Sequence, residues 1–144
     1  MKCFACQGFP GNSKIKKFDN WTIYLHHNQV YLGWCLISIN SHVVDPIDAG
    51  IDKWNELFSI LSSLKKAMNI LFQPDLFNYS MLGNSISHAH MHFVPRYKEP
   101  RIISNIKFSD NRWGHHYKPY DKEFSLPQNV LSELAMRIKE QLRG

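Results

Sequence analysis

Ser87-His88-Ala89-His90-Met91-His92-Phe93-Val94-Pro95 sets three histidines at alternate positions with apolar residues between them. In an extended strand alternate side chains share a face, so the three imidazoles would line one side while Ala89, Met91 and Phe93 turn into a core. On a helix, where side chains meet at three and four residues, the same spacing would scatter the rings. The strand is therefore the conformation that makes a site. Imidazole titrates near neutrality, so such a row points to proton transfer, nucleophilic attack or metal ligation.

Working outward, Ile86 to Val94 is predicted as a strand, and Leu76 to Met81 before it has strand character too. With Gly83-Asn84-Ser85 as a turn, the two predict an antiparallel hairpin. Phe18 to His26 alternates through Trp21, Ile23 and Leu25, the pattern of a half-buried strand. Tyr31 to Ile39 is aromatic and β-branched and predicts a better-buried strand, with Gly33 where another part of the chain comes close. From Ile47 to Phe72 the period turns helical, with Ile51, Trp54, Leu57, Phe58, Leu61, Leu64, Met68 and Leu71 on one stripe and Pro74 as the stop.

Gly8-Phe9-Pro10-Gly11-Asn12 reads as a loop, and Arg101 to Tyr120 as an irregular aromatic segment with Trp113, His115, His116 and Tyr117. Leu126 to Leu142 is amphipathic through Val130, Leu131, Leu134, Ile138 and Leu142, with Ser125 as the cap and Pro127 in the first turn. This order predicts an α+β class: one domain over residues 1–144, a mostly antiparallel sheet of about five strands, one long helix and a C-terminal helix. The βαβ alternation of a doubly wound fold is missing.

Composition narrows the function. Hydrophobic residues make up 44% of the chain and charged residues 20%, which is globular rather than disordered. A formal charge of +5 favours polyanions such as nucleotides. The longest apolar runs are too short to cross a bilayer, and Met1-Lys2-Cys3-Phe4 does not open a signal peptide, so a cytosolic protein with no membrane partner is expected. Cys3 and Cys6 form a Cys-x-x-Cys, which in a reducing compartment points to metal or redox chemistry more than to a disulfide. Cys35, inside an apolar run, reads as core.

His88-Ala89-His90-Met91-His92-Phe93-Val94, together with Asn78-Tyr79-Ser80-Met81-Leu82-Gly83-Asn84 before it and Pro95-Arg96-Tyr97 after it, resembles the histidine triad (HIT) family of nucleotide hydrolases and transferases. Leu36-Ile37-Ser38-Ile39-Asn40-Ser41-His42 is similar to the family's earlier strand ending in a fourth histidine. The likeness runs from about Trp21 to Tyr97 and is strongest toward the bacterial-type diadenosine tetraphosphate hydrolase branch. It implies attack by the central histidine, His90, on the α-phosphorus of a dinucleoside polyphosphate or related conjugate, through a nucleotidyl-histidine intermediate. His92 would bind a phosphate oxygen or pass a proton, and His88 and His42 would orient the others. Asn84 and Ser85 match phosphate-contacting positions. Asn78 matches a binding amide, although one residue closer to the triad than usual. Where relatives often hold the ribose with Asp or Asn, this chain has His26, with Asn28 as the second candidate.

The resemblance also implies a structural zinc held by Cys3, Cys6, His42 and His88, with no cofactor required for the chemistry, and a homodimer. A nucleic-acid partner is not expected, since no nucleic-acid module accompanies the domain. Two other functions fit three histidines: a zinc-dependent hydrolase using the cluster as ligands, and a non-catalytic nucleotide-binding sensor. The Gly83-Asn84-Ser85 turn and the Pro95-Arg96 flank have no role in the former, and an intact His90 argues against the latter.

Overall fold

The computed structural model describes Cys3, residues 5–118 and residues 121–143. Met1, Lys2, Phe4 and Tyr120, named above, lie outside the described residues. The elements run β1 (Ser13–Lys17), β2 (Trp21–Leu25), β3 (Cys35–Ile39), α1 (Ile51–Leu71), β4 (Leu76–Ser80), β5 (His90–Arg96), β6 (Arg101–Ile103), β7 (Ile106–Phe108) and α2 (Gln128–Arg143). Five strands form one sheet in the order β1-β2-β3-β5-β4, every pairing antiparallel. The α+β class and the five-stranded sheet with two helices stand as expected.

The period of two sorts the sheet into two faces. Trp21, Ile23, Leu25, Cys35, Ile37, Ile39, Met91 and Phe93 pack on one face against Leu57, Ile60, Leu64 and Met68 of α1 and Val130, Leu131, Leu134 and Ile138 of α2. The other face carries Tyr24, Leu36, His90 and His92, with Leu36 directly opposite His92. Part of it lies under Ala5 and Phe9, which pack on Tyr24 and Leu36. That cover buries all of β2, so the half-buried pattern expected there becomes a strand buried on both faces.

Several boundaries differ from the sequence pattern for identifiable reasons. Asp45 accepts the Ile47 N–H and caps a separate short turn, Pro46–Ala49, and Gly50 at φ 91° then breaks the chain direction, so α1 starts at Ile51 rather than Ile47. Its buried stripe is Leu57, Ile60, Leu64, Ala67 and Met68. Ile51 and Phe58, assigned to that stripe by period, are 71% and 73% exposed because they lie on a neighbouring row, one position round the helix from Leu57. In α2 the first turn is closed by the Pro127 carbonyl, which accepts the N–H groups of Val130 and Leu131, so Ser125 lies outside the cap position.

The lysine-rich β1 is an edge strand whose single buried residue is Ile15, a composition that hides a strand from pattern reading while protecting the edge. The segment expected to be irregular contains the β6–β7 hairpin, turned by Ser104 and Asn105, both at positive φ. Gly33, at φ 86°, sits where an added Cβ would come within 2.9 Å of Met68 Sδ and 3.2 Å of Pro95 Cγ, the close approach its place in a strand pattern implies.

Candidate active site

β5 starts at His90, not Ile86, so the row of three histidines is broken. His90 and His92 share the outer face of the strand, whereas His88 precedes it in the 81–89 connection from β4. The connection is too long for the tight hairpin turn that Gly83-Asn84-Ser85 alone predicts, and it forms a wall of a cleft of about 630 Å³. His90, His92 and Leu36 floor this cleft. Phe9, Pro10 and Asn12, Gly83 to Ile86, and His26 and Tyr117 also line it. Of the residues expected to bind nucleotide, His26, Asn84 and Ser85 thus meet the two strand histidines in one space.

Hydrogen bonds define the protonation of each ring. His90 Nδ1 lies 2.7 Å from the His88 carbonyl oxygen, which can only accept, so Nδ1 carries the proton and Nε2 has the lone pair. It is therefore the backbone of His88, not its ring, that orients His90. Trp34 Nε1–H donates to His92 Nδ1 at 3.1 Å, so a neutral His92 carries its proton on Nε2. Burial, reinforced by the adjacent His90, pushes the His92 pKa down to about 4, and this keeps the ring neutral at pH 7. His26 stacks on Trp34 with ring centroids 3.8 Å apart and accepts the Asn28 N–H at Nδ1. Burial first, then His27 and His92, hold His26 at about 3.

Trp34 is the residue that pattern reading missed. It is fully buried, and a buried indole needs a partner for its N–H, which is the one signal the sequence offered. Replacing Trp34 by Phe keeps an aromatic ring and removes the donor. Nδ1 of His92 then loses the donor that fixes its tautomer, while the burial that keeps the ring neutral remains. The neutral ring is expected to change from Nε2–H alone to a mixture of both tautomers, read from the nitrogen NMR shifts of its imidazole. An unchanged tautomer would show that the indole only packs.

Two expected binding residues are elsewhere. Asn28 is buried, and its side-chain amide donates to the carbonyls of Asp121 and Phe124 while its Oδ1 accepts the Val30 N–H. It ties two loops together and does not line the cleft, whereas His26 does. Asn78 lies on the same sheet face as His92 but farther along, opposite Val94, with Oδ1 accepting from Arg96. It lines a neighbouring groove instead.

His88 and His42 also point away from the cleft chemistry. His88 Nε2–H donates to the Ile39 carbonyl at 2.7 Å, which turns its Nδ1 lone pair toward Cys3 Sγ and Cys6 Sγ, each 3.4 Å away. His42 Nδ1 lies 3.4 Å from Cys6 Sγ. The ligand atoms of Cys3, Cys6, His42 and His88 all fall within 4.8 Å of one another, a group able to hold a metal ion. Zinc bonded at about 2.3 Å to sulfur and about 2.0 Å to nitrogen in a tetrahedron needs S···N edges of about 3.5 Å, so the donor set fits that ion. The carbonyl behind His88 supplies the outer partner that a ligating imidazole usually has.

A sheet whose outer face presents a backbone-oriented imidazole and a neutral one in an open cleft defines a class of α+β proteins with a paired-histidine site. Residues 11–99 match the HIT domain, and the chain belongs to the HIT family, whose members bind nucleotides. It is 24% identical over 147 residues to Protein hit of Bacillus subtilis (strain 168), with 94% of each chain covered. The fold is similar to a histidine triad protein from Bradyrhizobium japonicum, with a TM-score of 0.76 at 15% identity over 92% of this chain and 91% of that one. A zinc-bound histidine triad family protein from Mycobacterium smegmatis matches at TM-score 0.65 and 18% identity over 99% and 94% of the two chains. The Plasmodium falciparum diadenosine triphosphate hydrolase matches at TM-score 0.64 and 13% identity over 91% and 76%.

Proposed function

We propose that the protein is a nucleotide hydrolase or transferase that cleaves dinucleoside polyphosphates or related nucleotide conjugates at the α-phosphorus, with His90 as nucleophile. The observation that carries this reading is the His90 Nδ1–H bond to the His88 carbonyl, which leaves Nε2 as the basic nitrogen in the cleft. The Nε2 lone pair forms a bond to phosphorus. The bond from phosphorus to the leaving phosphate oxygen breaks, and its electron pair stays on that oxygen. As the ring gains positive charge, its bond to the His88 carbonyl becomes charge-assisted and shortens the climb to the intermediate. Water or another acceptor then takes the nucleotidyl group, the P–N bond breaks, and the acceptor's proton passes to solvent.

His92, neutral with its proton on Nε2, donates to a nonbridging phosphate oxygen as charge builds there. That assignment replaces the proton-passing role, because a ring with a pKa of about 4 holds no spare proton at pH 7. Ser85 and Asn84 supply further donors from the loop, and His26 faces the ribose. His88 and His42 act through the cysteine group, with His88 positioning His90 by its main chain. A bound zinc there would stabilise structure with Cys3 and Cys6 as thiolates, a state that a reducing compartment such as the cytosol preserves. Among the described residues the metal-ligand group excludes His90 and His92, which favours nucleotidyl transfer over a zinc hydrolase. Release of AMP from diadenosine tetraphosphate or adenosine phosphoramidate, compared between the protein and its His90→Asn variant, tests the function.

The chain acts as one unit, since α2 packs on α1 and β1 and so joins the C-terminal segment to the matched region. We further read it as a homodimer paired through β4, the sheet edge without lysines, with Leu76 exposed on that strand and Phe58 exposed on α1. Light scattering should give twice the 16.9 kDa chain mass, and Leu76→Lys with Phe58→Lys should give monomers. A monomeric unmodified protein at micromolar concentration would refute the pairing. Among the described residues no helix is long and apolar enough to cross a membrane.

A further inference from the structure

Beside the histidine cleft lies a second groove of about 610 Å³, formed by β4, Arg96 and residues 113–117. His116 and Tyr117 line both spaces, so the two are neighbours on either side of that pair. Ser80 marks the boundary. It pairs directly with His92 across β4 and β5, and its hydroxyl meets the Tyr117 hydroxyl at 2.5 Å. We propose that this groove holds the leaving nucleoside of a dinucleoside polyphosphate whose other nucleotide occupies the histidine cleft. The substrate class rests on the function proposed above; the place of its second half does not come from the triad.

The groove is built before any ligand arrives. Arg96 forms a buried ion pair with Asp110 at 2.7 Å and donates to the carbonyls of Arg112 and His115, while Asp110 also accepts the N–H groups of Tyr97 and Arg112. This network fixes the 110–116 loop, so little ordering cost remains for binding. It also spends the Arg96 charge on Asp110, and the groove is thus no phosphate clamp. What it offers is aromatic surface: the Trp113 ring, with Lys98 Nζ 5.9 Å from its centroid, and the exposed His115 and His116. An indole with a cation over one face and the groove beside it suits a stacked base carrying phosphates.

Steady-state kinetics of the full chain on diadenosine tetraphosphate and on adenosine phosphoramidate, which lacks a second nucleoside, read the groove directly. Trp113→Ala is expected to raise KM for the dinucleotide about tenfold relative to KM for the phosphoramidate, and Trp113→Phe to restore most of the difference. Equal changes on both substrates, or none on either, would overturn the proposal. If the unmodified protein turns over neither compound, the hydrolase reading fails instead, and calorimetric titration still reads the groove. The dinucleotide should bind more tightly than AMP, and Trp113→Ala should erase that preference. Equal affinity of the unmodified protein for both would again overturn it.

Discussion

His90→Asn is expected to lower AMP release by about ten thousandfold or more while the fold survives. Asparagine keeps an N–H where His90 Nδ1–H now bonds the His88 carbonyl, so the backbone turn into β5 keeps its partner. What disappears is the Nε2 lone pair, and an amide offers no comparable nucleophile. The residual rate reflects positioning and the donors of His92 and the 84–85 loop, which assist attack by water without a covalent intermediate. Two measurements separate chemistry from structure: single-turnover release of AMP, and the thermal midpoint, expected within about 2 °C of the unmodified protein for a site change of this size. A variant retaining a tenth of the rate would remove His90 as nucleophile. Trapping of a labelled nucleotidyl group on the unmodified protein, absent in the variant, would locate the intermediate.

The second large effect concerns stability. Elemental analysis should find one zinc per chain, and Cys3→Ser with Cys6→Ser, or a strong chelator, should lower the thermal midpoint by roughly 10 °C. That figure follows from about 3–4 kcal/mol of linkage for a metal present at roughly 100 to 1,000 times its Kd, and about 2–4 °C per kcal/mol for a chain of this length. The physical reason is where the four ligands sit. Cys3 and Cys6 meet His42, just after β3, and His88, just before β5, three places far apart in the chain. The segment they anchor continues into Phe9, Pro10 and Asn12, which wall the cleft. Loss of the tie should therefore raise KM severalfold, with kcat held within about fivefold, because the His90 and His92 bonds lie on the strand itself. A stable metal-free protein with no turnover would place the metal in the chemistry.

Much of this molecule was legible from its residues. The alternation through Trp21, Ile23 and Leu25, the helical period after residue 50 and the apolar positions of α2 reflect burial on one face, a local property that side-chain type records. His90 and His92 of the His-x-His-x-His pattern likewise mark the outer face of β5, which His88 precedes. Less legible were β1, where three lysines mask an edge strand, and the β6–β7 hairpin, whose Ser104-Asn105 turn lacks the usual glycine. The α1 stripe was misphased at Ile51 and Phe58 because both are apolar without being covered, and nothing local distinguishes an apolar residue facing the core from one left outside.

The unequal roles of the three histidines show where local information stops. By itself the sequence determined the class of fold, the family and the presence of a histidine site, since these follow from residue type and spacing along one strand. Only the tertiary structure decided which nitrogen of each ring is basic. That depends on partners brought from other elements: the Trp34 indole across β3 for His92, the Ile39 carbonyl for His88, and the main-chain turn before β5 for His90. A ring's chemistry is fixed by what its other nitrogen touches, and contacts between distant parts of a chain exist only once it has folded.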